Sequence, residues 1–128
     1  MATVTSIQNC DSLHIVKFDF HGQTLSMMSL ELDDEIKIDT EVKLVVKPTN
    51  IAIGKIFSGE ISYSNQLKCI IKDINNGQLL SSVKLQIFDT TLESIITYHS
   101  SKNLNLKVGD TITAFIKAND LSIAEVVS

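Results

Sequence analysis

The sequence predicts an all-β chain: two similar small barrels in tandem, with a short helix in the second. Three observations predict this. Short runs rich in Ile, Val, Thr and Phe alternate with turn residues along the whole chain, the pattern of many short strands rather than of long helices. One pattern also occurs twice: Ile38-Asp39-Thr40-Glu41-Val42-Lys43-Leu44-Val45-Val46-Lys47-Pro48-Thr49-Asn50 and Val108-Gly109-Asp110-Thr111-Ile112-Thr113-Ala114-Phe115-Ile116-Lys117-Ala118-Asn119-Asp120 each read as a turn, a strand and a basic elbow, and each continues into a second short strand. Finally, 128 residues fit one ordinary domain or two very small ones, so the repeat favours two similar units sharing a core over two independent folds.

Taken in order, Thr3 to Gln8 reads as a strand and Asn9-Cys10-Asp11-Ser12 as a turn. His14 to Phe20 alternates, with Val16, Phe18 and Phe20 on one apolar face. His21-Gly22-Gln23 breaks it, Thr24 to Leu32 resumes as a strand, and Asp33-Asp34-Glu35 reads as an acidic turn or a short helical start. Val42 to Val46 is the next strand. Lys47-Pro48-Thr49-Asn50 is an elbow, since proline fixes φ and removes a donor. Ile51 to Ile61 joins the units, with the boundary near Phe57, giving residues 1–56 and 57–128. The second unit then has strands over Ser62 to Lys72, Val83 to Phe88 and Leu92 to Thr97, with a turn at Asn75-Asn76-Gly77. Tyr98 to Leu106 loses the alternation and reads as a helix of one or two turns. Thr111 to Ile116 is the closing strand. Five short strands with a small helix before the fifth describe an OB-like barrel.

The first unit is incomplete. Aligned by the elbow, it lacks a counterpart of Ser62 to about Cys69, which leaves an edge that must be covered because unpaired backbone groups are costly. The tail Ser122 to Ser128, the second unit or another subunit could supply the cover.

Composition bounds the function. A net charge of −4 and few aromatics argue against nucleic-acid binding, which needs a basic face and stacking platforms. No apolar run approaches the roughly 18 residues of a membrane span, and the N-terminus lacks the order of a signal peptide, so a cytoplasmic protein is expected. Cys10 and Cys69 stand in no metal or redox spacing and read as two reduced, buried thiols. His14, His21 and His99 form no ligand pattern, and no bare metal cation site is expected. No nucleophile–base pair or paired carboxylates stand out, so the chain does not read as an enzyme.

Four ordered motifs carry a resemblance: Ser62-Tyr63-Ser64-Asn65-Gln66-Leu67-Lys68, Ile96-Thr97-Tyr98-His99-Ser100, Leu104-Asn105-Leu106-Lys107-Val108-Gly109-Asp110 and Ile116-Lys117-Ala118-Asn119-Asp120-Leu121. The second unit resembles a complete Mop/TOBE molybdate-binding domain, and the whole chain resembles a tandem di-Mop arrangement. The resemblance implies small OB-like barrels that bind molybdate or tungstate between subunits of a homo-oligomer, dimer or trimer, with no organic cofactor, for storage, homeostasis or sensing. It places the anion contacts on Ser62 and Ser64 from one segment, and on Thr97, Ser100, Lys117 and the Ala118 backbone N–H from another. The chemistry suits the assignment, because a dianion with four acceptor oxygens requires donors and the absence of carboxylates. The stretch Ile95 to Leu106 contains no acid. The chain departs from the family pattern at Ser64, where relatives commonly carry arginine; a neutral hydroxyl replaces a charged fork, leaving Lys117 or Lys68 to supply charge. In the first unit the corresponding positions read as Met27, Leu30, Lys47 and Pro48, which offer an anion little. A protein-interaction module that kept the barrel and lost the anion is the competing reading.

Overall fold

The structure is a computed structural model that describes residues 1–127. Its elements are ten strands, β1 (Ala2–Cys10), β2 (Leu13–Phe20), β3 (Gln23–Ser29), β4 (Glu41–Val46), β5 (Ala52–Gly54), β6 (Asn65–Asn76), β7 (Leu80–Ile87), β8 (Thr90–Thr97), β9 (Thr111–Ile116) and β10 (Leu121–Val126). One α-helix, α1 (Tyr98–Asn103), follows β8, and single 3-10 turns form the two elbows at Pro48–Asn50 and Ala118–Asp120. The fold is all-β and OB-like, as expected, with two five-stranded sheets. The chain separates into two compact units: Met1–Val46 with the residues from Lys117 onward, and Lys47–Ile116.

In the first unit the strand order is β10-β4-β1-β2-β3, and in the second it is β5-β9-β6-β7-β8, every neighbour antiparallel. These are the same topology. The strand after each elbow does not return to the unit it leaves: β5 follows β4 yet pairs with β9, and β10 follows β9 yet pairs with β4. The sequence places Ile51 to Ile61 as a joining region, whereas Ala52–Gly54 is a working strand. Three residues are too few for alternation to announce them, and their pairing is decided by β9.

The two units differ in how far the strand beside β4 or β9 extends along it. β1 meets β4 only through Ala2↔Val42 and Thr3↔Glu41, while its counterpart β6 runs along β9 from Ile70↔Thr111 to Asn65↔Ile116. The tail covers β4 from the other side, from Leu121↔Val46 to Val126↔Val42. Of the three covers considered, the tail is therefore one that is present, and it takes the place that β5 holds in the second unit.

Each core follows from alternation. Val4, Val16, Phe18 and Val42 are fully buried in the first unit, and Ile71, Val83, Leu85 and Ala114 in the second; each large apolar side chain contributes roughly 1.5–3 kcal/mol on burial. The predicted face of Val16, Phe18 and Phe20 is the buried one. The hairpin after it closes through His21 and Gly22, both at positive φ (49° and 85°), as a two-residue turn between right-twisted strands requires. Other boundaries shift: β3 ends at Ser29 rather than Leu32, and β6 begins at Asn65 and runs through Asn75 and Asn76. The asparagines are carried by the ladder with Ser81 and Ser82, so tertiary pairing overrides their turn preference. Cys69 is buried as expected, but Cys10 is exposed, because it stands at the tip of the first hairpin, opposite Leu13.

Candidate oxyanion site

The donors singled out in the sequence lie on three pieces of local structure. Ser62 and Ser64 flank Tyr63 in the bent segment before β6, and both serines are exposed. Tyr63 turns the other way and meets the Phe115 ring edge-on, centroids 5.9 Å apart, while Phe57 meets the same ring at 5.0 Å. Gln66 Nε2 donates to the Tyr63 carbonyl at 3.1 Å, and Asn65 is fully buried. Gly54 is required beside this cluster, since a Cβ there would lie 2.6 Å from the Phe115 ring.

Thr97 and Ser100 form the second piece. Thr97 is the N-cap of α1: its Oγ1 accepts from the Ser100 N–H at 3.1 Å and donates to the Ser100 hydroxyl at 2.9 Å. Ser100 Oγ thus accepts a hydrogen bond from Thr97 and keeps its own hydroxyl hydrogen to donate elsewhere. The cap is the ordinary structural use of such a threonine, and here it also aligns two hydroxyls on an exposed helix start. No acid occupies the first turn.

Lys117 and Ala118 form the third piece. Lys117 precedes the 3-10 turn in extended conformation, and its carbonyl accepts from the Asp120 N–H at 3.0 Å. Ala118 opens the turn, where backbone N–H groups lack partners within the helix. The other elbow, Lys47 with Pro48, has the same backbone form and no N–H at the corresponding place.

Register divides these groups. Asn65 pairs with Ile116, so Ser64 and Lys117 are the residues flanking that pair. Thr97 pairs with Leu80, beside the Asn76↔Ser81 pair at the other end of β6; eleven steps of a strand cover roughly 36 Å of path. The serines and the Thr97–Ser100 pair therefore stand at opposite ends of the longest strand.

The counterpart positions in the first unit need correction. Both returning strands start from equivalent hairpin pairs, Phe20↔Gln23 and Ile87↔Thr90. Equal steps along them bring Thr97 to the place of Leu30 rather than Met27; beyond that point the second unit forms α1 and the first unit has no helix. The elbow repeat misleads because the loop between β3 and β4 is shorter than that between β8 and β9. The first unit therefore has an apolar residue in place of the Thr97 hydroxyl and no helix start to carry a second one.

One arrangement escaped sequence reasoning. Lys55 Nζ lies 3.1 Å from the Asp110 carboxylate and donates to the Asn105 carbonyl at 2.8 Å, tying the chain after β5 to the loop before β9. The Lys107 N–H donates to the same carboxylate at 2.9 Å; that bond first, then the Lys55 ammonium, hold the Asp110 carboxyl below the usual carboxylate range. Lone charges far apart in sequence give no signal of such a tie.

Residues 61–123 match the family model of the TOBE domain. The chain belongs to the Mop/TOBE family. Among solved structures, this Mop/TOBE chain is similar to the cytoplasmic molybdate-binding protein ModG in a crystal form with molybdate bound, at 26% identity over 95% of this chain and 91% of that one, with a TM-score of 0.89. A molybdate-binding protein from Sporomusa ovata is similar at 33% identity over 47% of this chain and 90% of that one, with a TM-score of 0.46. No curated protein matches the sequence.

Proposed function

We propose that this chain binds molybdate, or its congener tungstate, as a non-catalytic cytoplasmic protein of molybdenum storage, homeostasis or sensing. The observation that carries the reading is the match along nearly the whole chain to a structure with molybdate bound. The donors are Ser62 and Ser64, and Thr97, Ser100, Lys117 and the Ala118 N–H. The opposite ends of β6 on which the serines and the Thr97–Ser100 pair stand support a site assembled between copies in a homo-oligomer, dimer or trimer, where closed symmetry supplies both groups without further parts. All the side-chain donors carry protons at neutral pH and none is a carboxylate, which is what a tetrahedral dianion needs.

Calorimetric titration with molybdate, tungstate and sulfate tests this directly. Saturable molybdate binding is expected. Lys117→Ala removes the cation and should weaken binding by about one to two decades, the roughly 1.5–3 kcal/mol of a charge-assisted contact. Lys47→Ala should change little, because Pro48 has no N–H and the apolar Leu30 stands where the Thr97 hydroxyl would be. Equal losses would indicate a general positive field instead of a site. The neutral Ser64 favours a second reading, an interaction module that kept the barrel without the anion; absence of binding to all three anions would select it.

A further inference from the structure

The chain between β5 and β6, residues 55–64, carries Ser62 and Ser64 and is anchored at both ends. At its start, Lys55 Nζ donates to the Asn105 carbonyl at 2.8 Å and lies 3.1 Å from the Asp110 carboxylate. Ile56 follows at φ of 53°, with 90% of its surface exposed. That region is strained for a β-branched residue, and Ile56 gains no burial in return, so its conformation is imposed from its two sides. On one side is the Lys55 tie; on the other, Phe57 meets the Phe115 ring edge-on, centroids 5.0 Å apart. Tyr63 meets the same ring at 5.9 Å. Phe115 lies on β9 with 4% of its surface exposed. One buried ring therefore closes the loop from 57 to 63, which turns through Gly59 at φ of 105°.

Tyr63 governs the serine end of this loop. Its ring sits against Phe115, its carbonyl accepts from Gln66 Nε2 at 3.1 Å, and Ser62 and Ser64 are its neighbours on either side. Both serines are exposed, and among the described residues neither hydroxyl makes a hydrogen bond of its own. β6 fixes the chain from Asn65, which is fully buried opposite Ile116. Ser64 is thus held between two fixed residues, whereas Ser62 has Tyr63 as its nearest anchor. A serine oxygen stands one carbon from the backbone, so where the backbone is set the hydroxyl is set to within a rotamer.

We infer that Tyr63 is a positioning residue of the oxyanion site: with its ring on Phe115 and its carbonyl on Gln66, it holds the Ser62 and Ser64 hydroxyls where the anion meets them. The inference rests on the molybdate reading above and adds to it the residue that orders two of its donors. Preorganisation acts on affinity because donors ordered on folding lose no further freedom on binding. It matters most for neutral donors, each of which attracts a dianion less than a charged group does.

The test is calorimetric titration of the full chain with sodium molybdate at fixed pH and ionic strength, on Tyr63→Phe, Tyr63→Ala, Ser62→Ala and the double variant Ser62→Ala/Tyr63→Ala. Tyr63→Phe keeps the ring and should bind as the wild type does. Tyr63→Ala should weaken binding about tenfold, the ordering of two donors and the backbone that carries them. In the Ser62→Ala background the same change should weaken binding only about threefold, because one of the two positioned donors is already gone. The same loss in both backgrounds would mark a purely structural role, equal losses in Tyr63→Phe and Tyr63→Ala would make the hydroxyl itself a contact, and wild-type affinity in Tyr63→Ala would leave Tyr63 no role. Each of these overturns the inference while molybdate binding by the wild type stands. Absence of molybdate binding by the wild type overturns the anion reading itself, and the inference with it. Should Tyr63→Ala fail to fold, Gln66→Ala, at an exposed position, releases the Tyr63 carbonyl and should weaken binding about threefold; wild-type affinity there overturns the inference.

Discussion

The two cysteines show how position in the fold sets side-chain chemistry. Cys69 lies on β6 with 2% of its surface exposed, and burial pushes its thiol up to about 11, so the reactive thiolate is scarce at neutral pH. Cys10 is exposed. A thiol reagent at pH 7.5 should therefore label one cysteine of the folded protein, Cys10, with Cys69 labelled only in denaturant; mass mapping of the modified peptides checks this. Asp110 illustrates the same dependence through hydrogen bonding. Its folded pKa is depressed by the Lys107 N–H and the Lys55 ammonium, so its contribution to stability is complete above the unfolded value of about 3.9 and is lost as pH falls through the folded value. The thermal advantage of the wild type over Lys55→Met should accordingly be present at pH 7 and shrink below about pH 4, as melting curves across that window would show.

Two places before β4 in the first unit and two places before β9 in the second stands a left-handed residue, and the two sequences supply it differently. Gly109 has φ of 94° and its N–H donates to the Ile71 carbonyl at 2.8 Å. Asp39 has φ of 75° and its N–H donates to the Val4 carbonyl at the same distance. Glycine adopts this conformation without steric cost, whereas an L-residue does not. Asp39→Gly should stabilise the protein by about 0.5–1 kcal/mol, the left-handed penalty less the extra chain entropy of glycine, measurable by urea unfolding. Loss of stability would show that the Asp39 side chain contributes more than its backbone costs. Helix α1 is the other element with a local rule, its boundary being set by the Thr97 cap, and it begins where the alternation of the sequence stops.

At the scale of the molecule, the exchange of strands after the elbows governs stability. β10 covers β4 along Val42 to Val46, while β1 reaches only Val42 and Glu41. Truncation after Asp120 removes that cover and exposes Leu121's place in the core, where the side chain is 5% exposed. Amides of β1, β2 and β4 should then exchange much faster with solvent, while those of β6, β7 and β9, whose ladders contain no residue beyond Ile116, should keep their protection. Unchanged exchange in β4 would show that its strand survives without the tail.

What the sequence determined by itself was everything written in local periodicity and punctuation. The all-β class, the break at His21-Gly22, the face of Val16, Phe18 and Phe20, the helix after Thr97 and the repeat of the elbows all follow from residues within a few places of one another. The motifs around Ser62, Thr97, Gly109 and Lys117 were enough to indicate the family. The tertiary structure alone decided partnership: that β5 and β10 pair away from the strands they follow, that Asn75 and Asn76 extend a strand, that Leu30 is the first unit's counterpart of Thr97, and that Lys55 finds Asp110. Backbone pairing is satisfied by whichever strand arrives in register, and register is a property of two distant segments at once, which no single stretch of sequence contains.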